Sequence, residues 1–181
     1  MFSYWAYILV ARNNKGKTTI QRHVARHLCG IWRPRLPVDA FLHVNHDRAP
    51  KGLNKLFLAN RSLQERKHDF PTVDSYFGVG TGESKGFKDA DLCVLSSHSG
   101  PNEVKDVNEM IRHLKRRCYN VSGVFFRNDD WNGMDQLTML PWTEVLWIDN
   151  KHRRSATSIE KQLADIGLSL SNFLIARSHV S

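Results

Sequence analysis

Residues 4–24, YWAYILVARNNKGKTTIQRHV, decide the fold of this chain. The aromatic and aliphatic run at 4–11 predicts a buried strand. Residues 11–18, ARNNKGKT, match the phosphate-binding pattern G-x-x-x-x-G-K-[ST] except at its first position, where Ala11 replaces glycine. Apolar residues at helical spacing then predict a helix over 18–28. A strand, a loop and a helix in this order are the context that the pattern requires.

The rest of the chain alternates between short apolar segments and amphipathic segments. The predicted further strands are 38–47, 69–78 (weak, with a turn), 90–97, 121–128 and 144–150, and the predicted further helices are 52–67, 102–118 and 158–175. This alternation predicts an α/β fold with a mostly parallel sheet covered by helices on both faces. Ligands of such sheets lie at the carboxyl ends of the strands, where residues 11–18 fall.

Composition favours one cytoplasmic domain with an anionic partner. The chain has 181 residues, 41% of them hydrophobic, and we expect a single domain over 1–181 because no linker-like segment divides it. It has no apolar run of the roughly 20 residues that span a bilayer, and three cysteines without metal-ligand spacing suit a reducing compartment. The net charge of +8 favours nucleic acid or acidic lipid as a partner, although an ordinary basic surface is the alternative.

Basic residues concentrate in three segments, 22–35, 112–117 and 151–154. These segments predict DNA contact through phosphates, without sequence preference and with a strong dependence on salt. The first of them also contains His23 and His27, with Cys29 nearby. A zinc site there lacks a fourth ligand at recognisable spacing, so solvated surface histidines are the favoured interpretation.

The phosphate-binding pattern assigns a role to three of its residues. Gly16 allows the backbone to approach a phosphate closely, and Lys17 would reach the β- and γ-phosphates of a nucleotide. The hydroxyl of Thr18 would bind Mg²⁺. The sequence therefore predicts a nucleotide site with magnesium.

The run RNNKGKTT resembles the variant phosphate loop K-G-G-x-G-K-T-T of the ParA/MinD ATPases, a branch of the P-loop NTPases. Within that branch it is most similar to the divergent plasmid-stability StbB-like and conjugation-associated members. The resemblance implies a P-loop NTPase domain that binds ATP. The nucleotide-binding residues that it implies are Asn13, Asn14, Lys15, Gly16, Lys17, Thr18 and Thr19. Arg12 takes the place of the lysine that reaches across a nucleotide-bound dimer. Asparagine tolerates positive φ, so the loop can form without both glycines.

Later segments extend the resemblance by their order. VNHDRAP places Asn45 and Asp47 at a D-x-D-like element, from which Asp47 would orient the attacking water. HDFPTVDSYFGVG places Asp74 where the family holds magnesium through water, and GVFFRND places Asn128 at the adenine-contacting asparagine.

The implied function is slow ATP hydrolysis by a homodimer in plasmid segregation, positioning or conjugative transfer, with an adaptor or DNA-binding protein as a further partner. Water would attack the γ-phosphate while Lys17 and Arg12 stabilise the charge on the transferring group. One alternative is a small P-loop nucleotide or nucleoside kinase with Arg153 and Arg154 in a lid. Another is a nucleotide-binding switch that does not hydrolyse.

Overall fold

A six-stranded sheet lies at the centre of the protein in a computed structural model that describes residues 3–79, 86–127, 134–150 and 155–179. The strands are β1 (Trp5–Val10), β2 (Asp39–His43), β3 (Lys55–Ala59), β4 (Leu92–Ser97), β5 (Asn120–Phe126) and β6 (Glu144–Ile148). Their spatial order is β2-β3-β4-β1-β5-β6, and every neighbouring pair is parallel except β2 with β3. The prediction of an α/β fold with a mostly parallel sheet is confirmed.

Helices cover both faces of this sheet. Those in the described part of the chain are α1 (Lys17–Cys29), α2 (Val73–Tyr76), α3 (Glu103–Arg116), α4 (Met134–Thr138) and α5 (Ala156–Ser178). Successive residues of β1 alternate between the two cores, as strand geometry requires. Tyr7 and Leu9 join the core under α1 and α5, whereas Ile8 and Val10 join the core under α2, α3 and α4.

The predicted helix over 52–67 is wrong. Its apolar residues at 53, 56 and 57 mimic helical spacing, but Leu56, Phe57 and Leu58 form one continuous buried run. A strand covered on both faces needs such a run, and Leu56 pairs with Leu92 of β4 in register. The segment forms β3 and then a 3₁₀ turn at Leu63–Arg66.

Two of the predicted strands also differ from the structure. The predicted weak strand over 69–78 contains the short helix α2 instead, because the Thr72 hydroxyl accepts a hydrogen bond from the Ser75 N–H at 3.1 Å and starts a helical turn. The strand predicted over 38–47 exists but ends at His43 and runs antiparallel to β3. The chain after β2 therefore emerges at the amino edge of the parallel strands.

No helix in the described ranges is both long enough and apolar enough to cross a membrane.

Candidate functional site

The loop between β1 and α1 makes a tight turn that depends on left-handed backbone conformations. Asn14 has φ 60° and Gly16 has φ 86°, so an asparagine adopts the conformation that the sequence analysis allowed for it. Ala11 is completely buried at the strand end. Gly16 must also lack a side chain, because a Cβ at this position would overlap the Leu163 side chain of α5. The turn thus forms with one glycine where the pattern has two.

Lys17 lies inside this loop. Its Nζ donates hydrogen bonds to the carbonyl oxygens of Ala11 and of Arg12, the latter at 2.8 Å. The residue is only 8% exposed. The ammonium is thus held by carbonyls of the loop at the start of α1, where a helix has a partial positive charge.

A cavity of about 530 Å³ opens beside the loop. Residues 13–19 form one wall, and the other lining residues are Asn60, Ser62, Glu65, Asn150, Ile159 and Leu163. The cavity lies at the carboxyl edge of the parallel strands, where α/β sheets bind their ligands. Its position agrees with the one that the strand-loop-helix order predicted.

The chain that follows β3 supplies the second wall. Thr18 Oγ1 donates to the carbonyl oxygen of Asn60 at 3.0 Å. The Asn60 side chain donates to the carbonyl oxygen of Pro37 at 2.7 Å. These bonds fix the distance between the start of α1 and the end of β3, so the cavity has a defined width.

Glu65 is the one carboxylate that lines this cavity among the described residues. One of its oxygens accepts from the Ser62 N–H at 3.3 Å in a capping box. The other lies 3.2 Å from Nε2 of His98. His98 directly follows β4, and Ser97 at the end of that strand accepts a hydrogen bond from the Ala11 N–H at 3.3 Å. Glu65 is therefore held in place next to the loop.

Asn150 and α5 close the third side. The Asn150 side chain donates to the carbonyl oxygen of Lys15 at 2.8 Å, and its own oxygen accepts from Gln162 at 3.2 Å. Asn150 is 4% exposed. Ile159 and Leu163 add an apolar surface beside these amides. Helix α5 and the residue Asn150 before it therefore stabilise the loop between β1 and α1.

The structure brings together the predicted nucleotide-binding residues of the loop. Asn13, Asn14, Lys15, Gly16, Lys17, Thr18 and Thr19 all line the cavity. Arg12 precedes them and has an exposed side chain. Asn128 lies outside the described residues.

Asn45 and Asp47 do not reach this cavity, which corrects the placement expected from segment order. The Asn45 N–H donates to the carbonyl oxygen of Leu28 at 2.7 Å, at the last turn of α1. Leu28 lies eleven residues after Lys17, about 16 Å along the helix axis. Because β2 is antiparallel, the residues after it lie at the edge opposite the loop.

Asp74 is also placed away from the cavity. Its carboxylate lies 2.6 Å from Nε2 of His113, which belongs to the last turn of α3. That helix begins at Glu103, soon after the carboxyl end of β4, so His113 lies about 15 Å from that edge. Asp74 starts a helix that packs on α3 and cannot serve as the acidic residue at a strand end.

Sequence reasoning missed the residues that complete the cavity: Asn60, Ser62, Glu65, His98 and Asn150. One local signal was present, since Ser62 and Glu65 have the S-x-x-E spacing of a capping box. This spacing predicts that Ser62 and Glu65 lie beside the loop only when residues 55–59 are also assigned as a parallel strand. Asn150 had no local signal, because its partner Lys15 is 135 residues away.

Metal-binding side chains do not cluster in the described part of the chain: no group of three or more His, Cys, Asp or Glu residues there could hold an ion. Comparisons of the chain with the sequence profiles of protein families, with curated proteins and with solved structures found no match.

Proposed function

We propose that this protein binds ATP with magnesium in the cavity beside the 11–18 loop and hydrolyses it slowly, as a P-loop NTPase of the ParA/MinD kind. The observation that carries the proposal is the position of Lys17. Its ammonium lies inside a tight loop between the central buried strand and the first turn of α1. This cation belongs to the first turn of α1, and a lysine at a helix N-terminus suits the phosphates of a nucleotide.

The lining of the cavity supports an anionic ligand. Lys15 and Lys17 contribute two positive charges, whereas Glu65 contributes one negative charge. Amide and hydroxyl groups of Asn13, Asn14 and Thr19 supply further hydrogen-bonding groups. Ile159 and Leu163 give one side of the cavity an apolar surface suited to a base or a sugar.

The cavity has ligands of the type that magnesium takes in nucleotide sites. Mg²⁺ prefers oxygen ligands and usually keeps several waters, with one or two protein groups and the phosphates completing its shell. The Thr18 hydroxyl and the Glu65 carboxylate are the oxygen groups of the lining that we assign to it. Bound there, the ion would neutralise charge on the β- and γ-phosphates. Asp74 has no part in this proposal.

Hydrolysis requires a water in line with the γ-phosphate. Its oxygen forms the new bond to phosphorus, the bond from phosphorus to the β,γ-bridging oxygen breaks, and ADP leaves. Glu65 replaces Asp47 as the carboxylate that orients this water and accepts its proton, since it is the one that faces the cavity. In this proposal Lys17 stabilises the charge on the transferring group, and Arg12, whose side chain is exposed, reaches the nucleotide of a second subunit.

The cellular role is proposed from the resemblance and from charge. ParA/MinD-like ATPases dimerise around nucleotide, and we propose the same here, with action in segregation, positioning or conjugative transfer of DNA together with an adaptor or DNA-binding protein. The chain has a net charge of +8. On α3, Arg112, Lys115 and Arg116 are exposed, so part of this charge is available to DNA phosphates.

A second function, a nucleotide-binding switch without turnover, is favoured by one observation. β4, the neighbour of β1, ends at Ser97 and is followed by His98 rather than by a carboxylate, and neither Asp47 nor Asp74 approaches the loop. Glu65 alone would then have to serve both the metal and the water. The alternative of a nucleoside kinase gains no support, as Arg153 and Arg154 lie outside the described residues.

The test is the affinity for ATP, measured by calorimetry with magnesium present. We expect Lys17→Ala to weaken binding at least ten-fold, because it removes a buried charge-assisted contact to the phosphates. Lys105→Ala is the matched control, since Lys105 is exposed on α3 and should leave the affinity unchanged. Equal affinity in the Lys17 variant and the wild type, or no ATP binding by either, would refute the proposal. Turnover of bound ATP then separates the hydrolase from the switch.

A further inference from the structure

Trp32 is the most exposed of the Trp, Tyr and Phe residues in the described part of the protein, at 56%. It lies in the loop that follows α1, and this loop is held on both sides of it. Ile31 and Leu36 pack against the core under α1 and α5, and Arg22 donates to the carbonyl oxygen of Pro34 at 2.8 Å. The loop thus holds a large apolar ring in an exposed position, although folding alone would favour its burial.

Cationic and aromatic groups surround the ring of Trp32. The Arg26 guanidinium lies 4.6 Å from its centroid, a cation–π distance. The ring of His23 is 5.7 Å away. His23 is not the solvated histidine that the sequence suggested, because it is 3% exposed and neither ring nitrogen has a hydrogen-bond partner among the described residues. Burial, followed by the neighbouring Arg22, lowers its pKa and favours the neutral ring.

A cavity of about 540 Å³ lies at this place, between α1 and the start of α5. Its lining residues are His23, Arg26, Trp32, Thr157, Glu160, Lys161 and Ala164. Glu160 is the one carboxylate among the described lining residues, lies 3.9 Å from Arg22 and is mostly exposed. Polar, cationic and aromatic groups therefore meet in one concave surface.

The charge around Trp32 is strongly one-sided. The first 38 residues contain no Asp or Glu and seven Lys or Arg, namely Arg12, Lys15, Lys17, Arg22, Arg26, Arg33 and Arg35. Arg33 and Arg35 are exposed and flank Trp32 in the sequence. α1 runs from Lys17 to this loop and includes Arg22 and Arg26, so the helix that leads to Trp32 has basic residues and no acidic one. Such a field attracts a polyanion.

We propose that the Trp32 surface, formed by Arg26, Trp32, Arg33 and Arg35, binds single-stranded nucleic acid. A base stacks on the exposed indole while the arginines contact phosphates on either side. Only an unpaired strand offers the face of a base, whereas a duplex offers its edges and backbone. An aromatic platform beside a basic track is how proteins hold single strands without sequence preference. This site is separate from the nucleotide cavity and does not depend on ATP binding.

The test measures fluorescence anisotropy of a labelled oligo-dT strand and of a labelled duplex of equal length, without nucleotide. We expect the strand to bind more tightly than the duplex. Trp32→Ala should weaken strand binding about ten-fold and Trp32→Phe much less, because stacking depends on an aromatic face. Arg33→Ala should lower the slope of log K against log salt by about 0.7, the value for one phosphate contact of a single strand. A matching oligo-rU strand shows which sugar is preferred.

Two matched controls accompany these variants. Trp147, on the edge strand β6, is 46% exposed, and Trp147→Ala should leave strand binding unchanged. Lys105→Ala removes an exposed charge of α3 on the opposite face of the sheet and should keep the strand preference. Trp32→Gln, which keeps more side-chain volume than alanine without an aromatic face, replaces Trp32→Ala if that variant does not fold. Strand affinity unaltered by loss of the indole, equal affinity for duplex and strand, or an equal loss in the Trp147 variant would overturn the proposal.

Discussion

Replacing Gly16 by alanine tests how tightly the loop is packed against α5. The change has two costs in the folded state. The first is the positive φ of 86°, which an L-residue adopts at a cost of about 1–2 kcal/mol. The second is the overlap of the new Cβ with the Leu163 side chain, an overpacking cost of about 1–3 kcal/mol. We therefore expect Gly16→Ala to lower the free energy of unfolding by about 2–5 kcal/mol.

The chain contains a control that separates the two costs. Gly30 also has a positive φ, of 67°, but nothing lies within 4 Å of a Cβ built there. Gly30→Ala should therefore show the backbone cost alone, about 1–2 kcal/mol. The excess of Gly16→Ala over Gly30→Ala measures the contact with Leu163.

A double-mutant cycle completes this experiment. Leu163 is 7% exposed, so Leu163→Ala alone should cost about 2–5 kcal/mol through the cavity that it leaves. In the double variant the new methyl group enters this space, and the loss should fall short of the sum by about 1–3 kcal/mol. Urea unfolding followed by circular dichroism gives each value. Additive losses, or equal losses in the two glycine variants, would show that Gly16 and Leu163 are not in contact.

Two further predictions concern single side chains. Glu65→Gln keeps the shape of the capping residue and should slow single-turnover hydrolysis of bound ATP about 100-fold, as for a lost general base; an unchanged rate would exclude Glu65 from activating the water. Iodoacetamide should modify native Cys118, which is exposed, before Cys29 and Cys93, because burial raises the pKa of both buried thiols to about 12. The pKa of these thiols in the folded state lies above the unfolded value of 9.0, so their contribution to stability should be complete below pH 9 and be lost as pH rises toward 12. Unfolding curves at alkaline pH can check this loss.

The parts of the fold and site that sequence could predict are those with local signals. Residues 4–11 form a continuous apolar run and therefore indicate a buried strand. The G-K-T of residues 16–18 indicates a turn that starts a helix, because only a few residue types satisfy that geometry. Strand, loop and helix follow from interactions between residues close in sequence, and the structure contains all three.

The parts that could not be predicted depend on distant pairing. Whether β2 runs parallel or antiparallel is decided by its contacts with β3, and that orientation decides which edge Asp47 occupies. The helical spacing of Leu53, Leu56 and Phe57 is outweighed by burial of β3 between β2 and β4. Tertiary context overrides such local propensity because burial on both faces contributes more than helix preference.

The bracing of the first loop by the last helix has a consequence for protein synthesis. The Lys15 carbonyl can accept its hydrogen bond only after Asn150, 135 residues later, has been synthesised, and Gly16 can pack only after Leu163 has been synthesised. A ribosome adding about 5–20 residues per second needs several seconds or more to make that interval. Until α5 has left the exit tunnel, the loop lacks its Asn150 hydrogen bond and its apolar wall. On a nascent chain, the ability to hold a ligand in this cavity is therefore acquired late, after most of the sheet strands have been made.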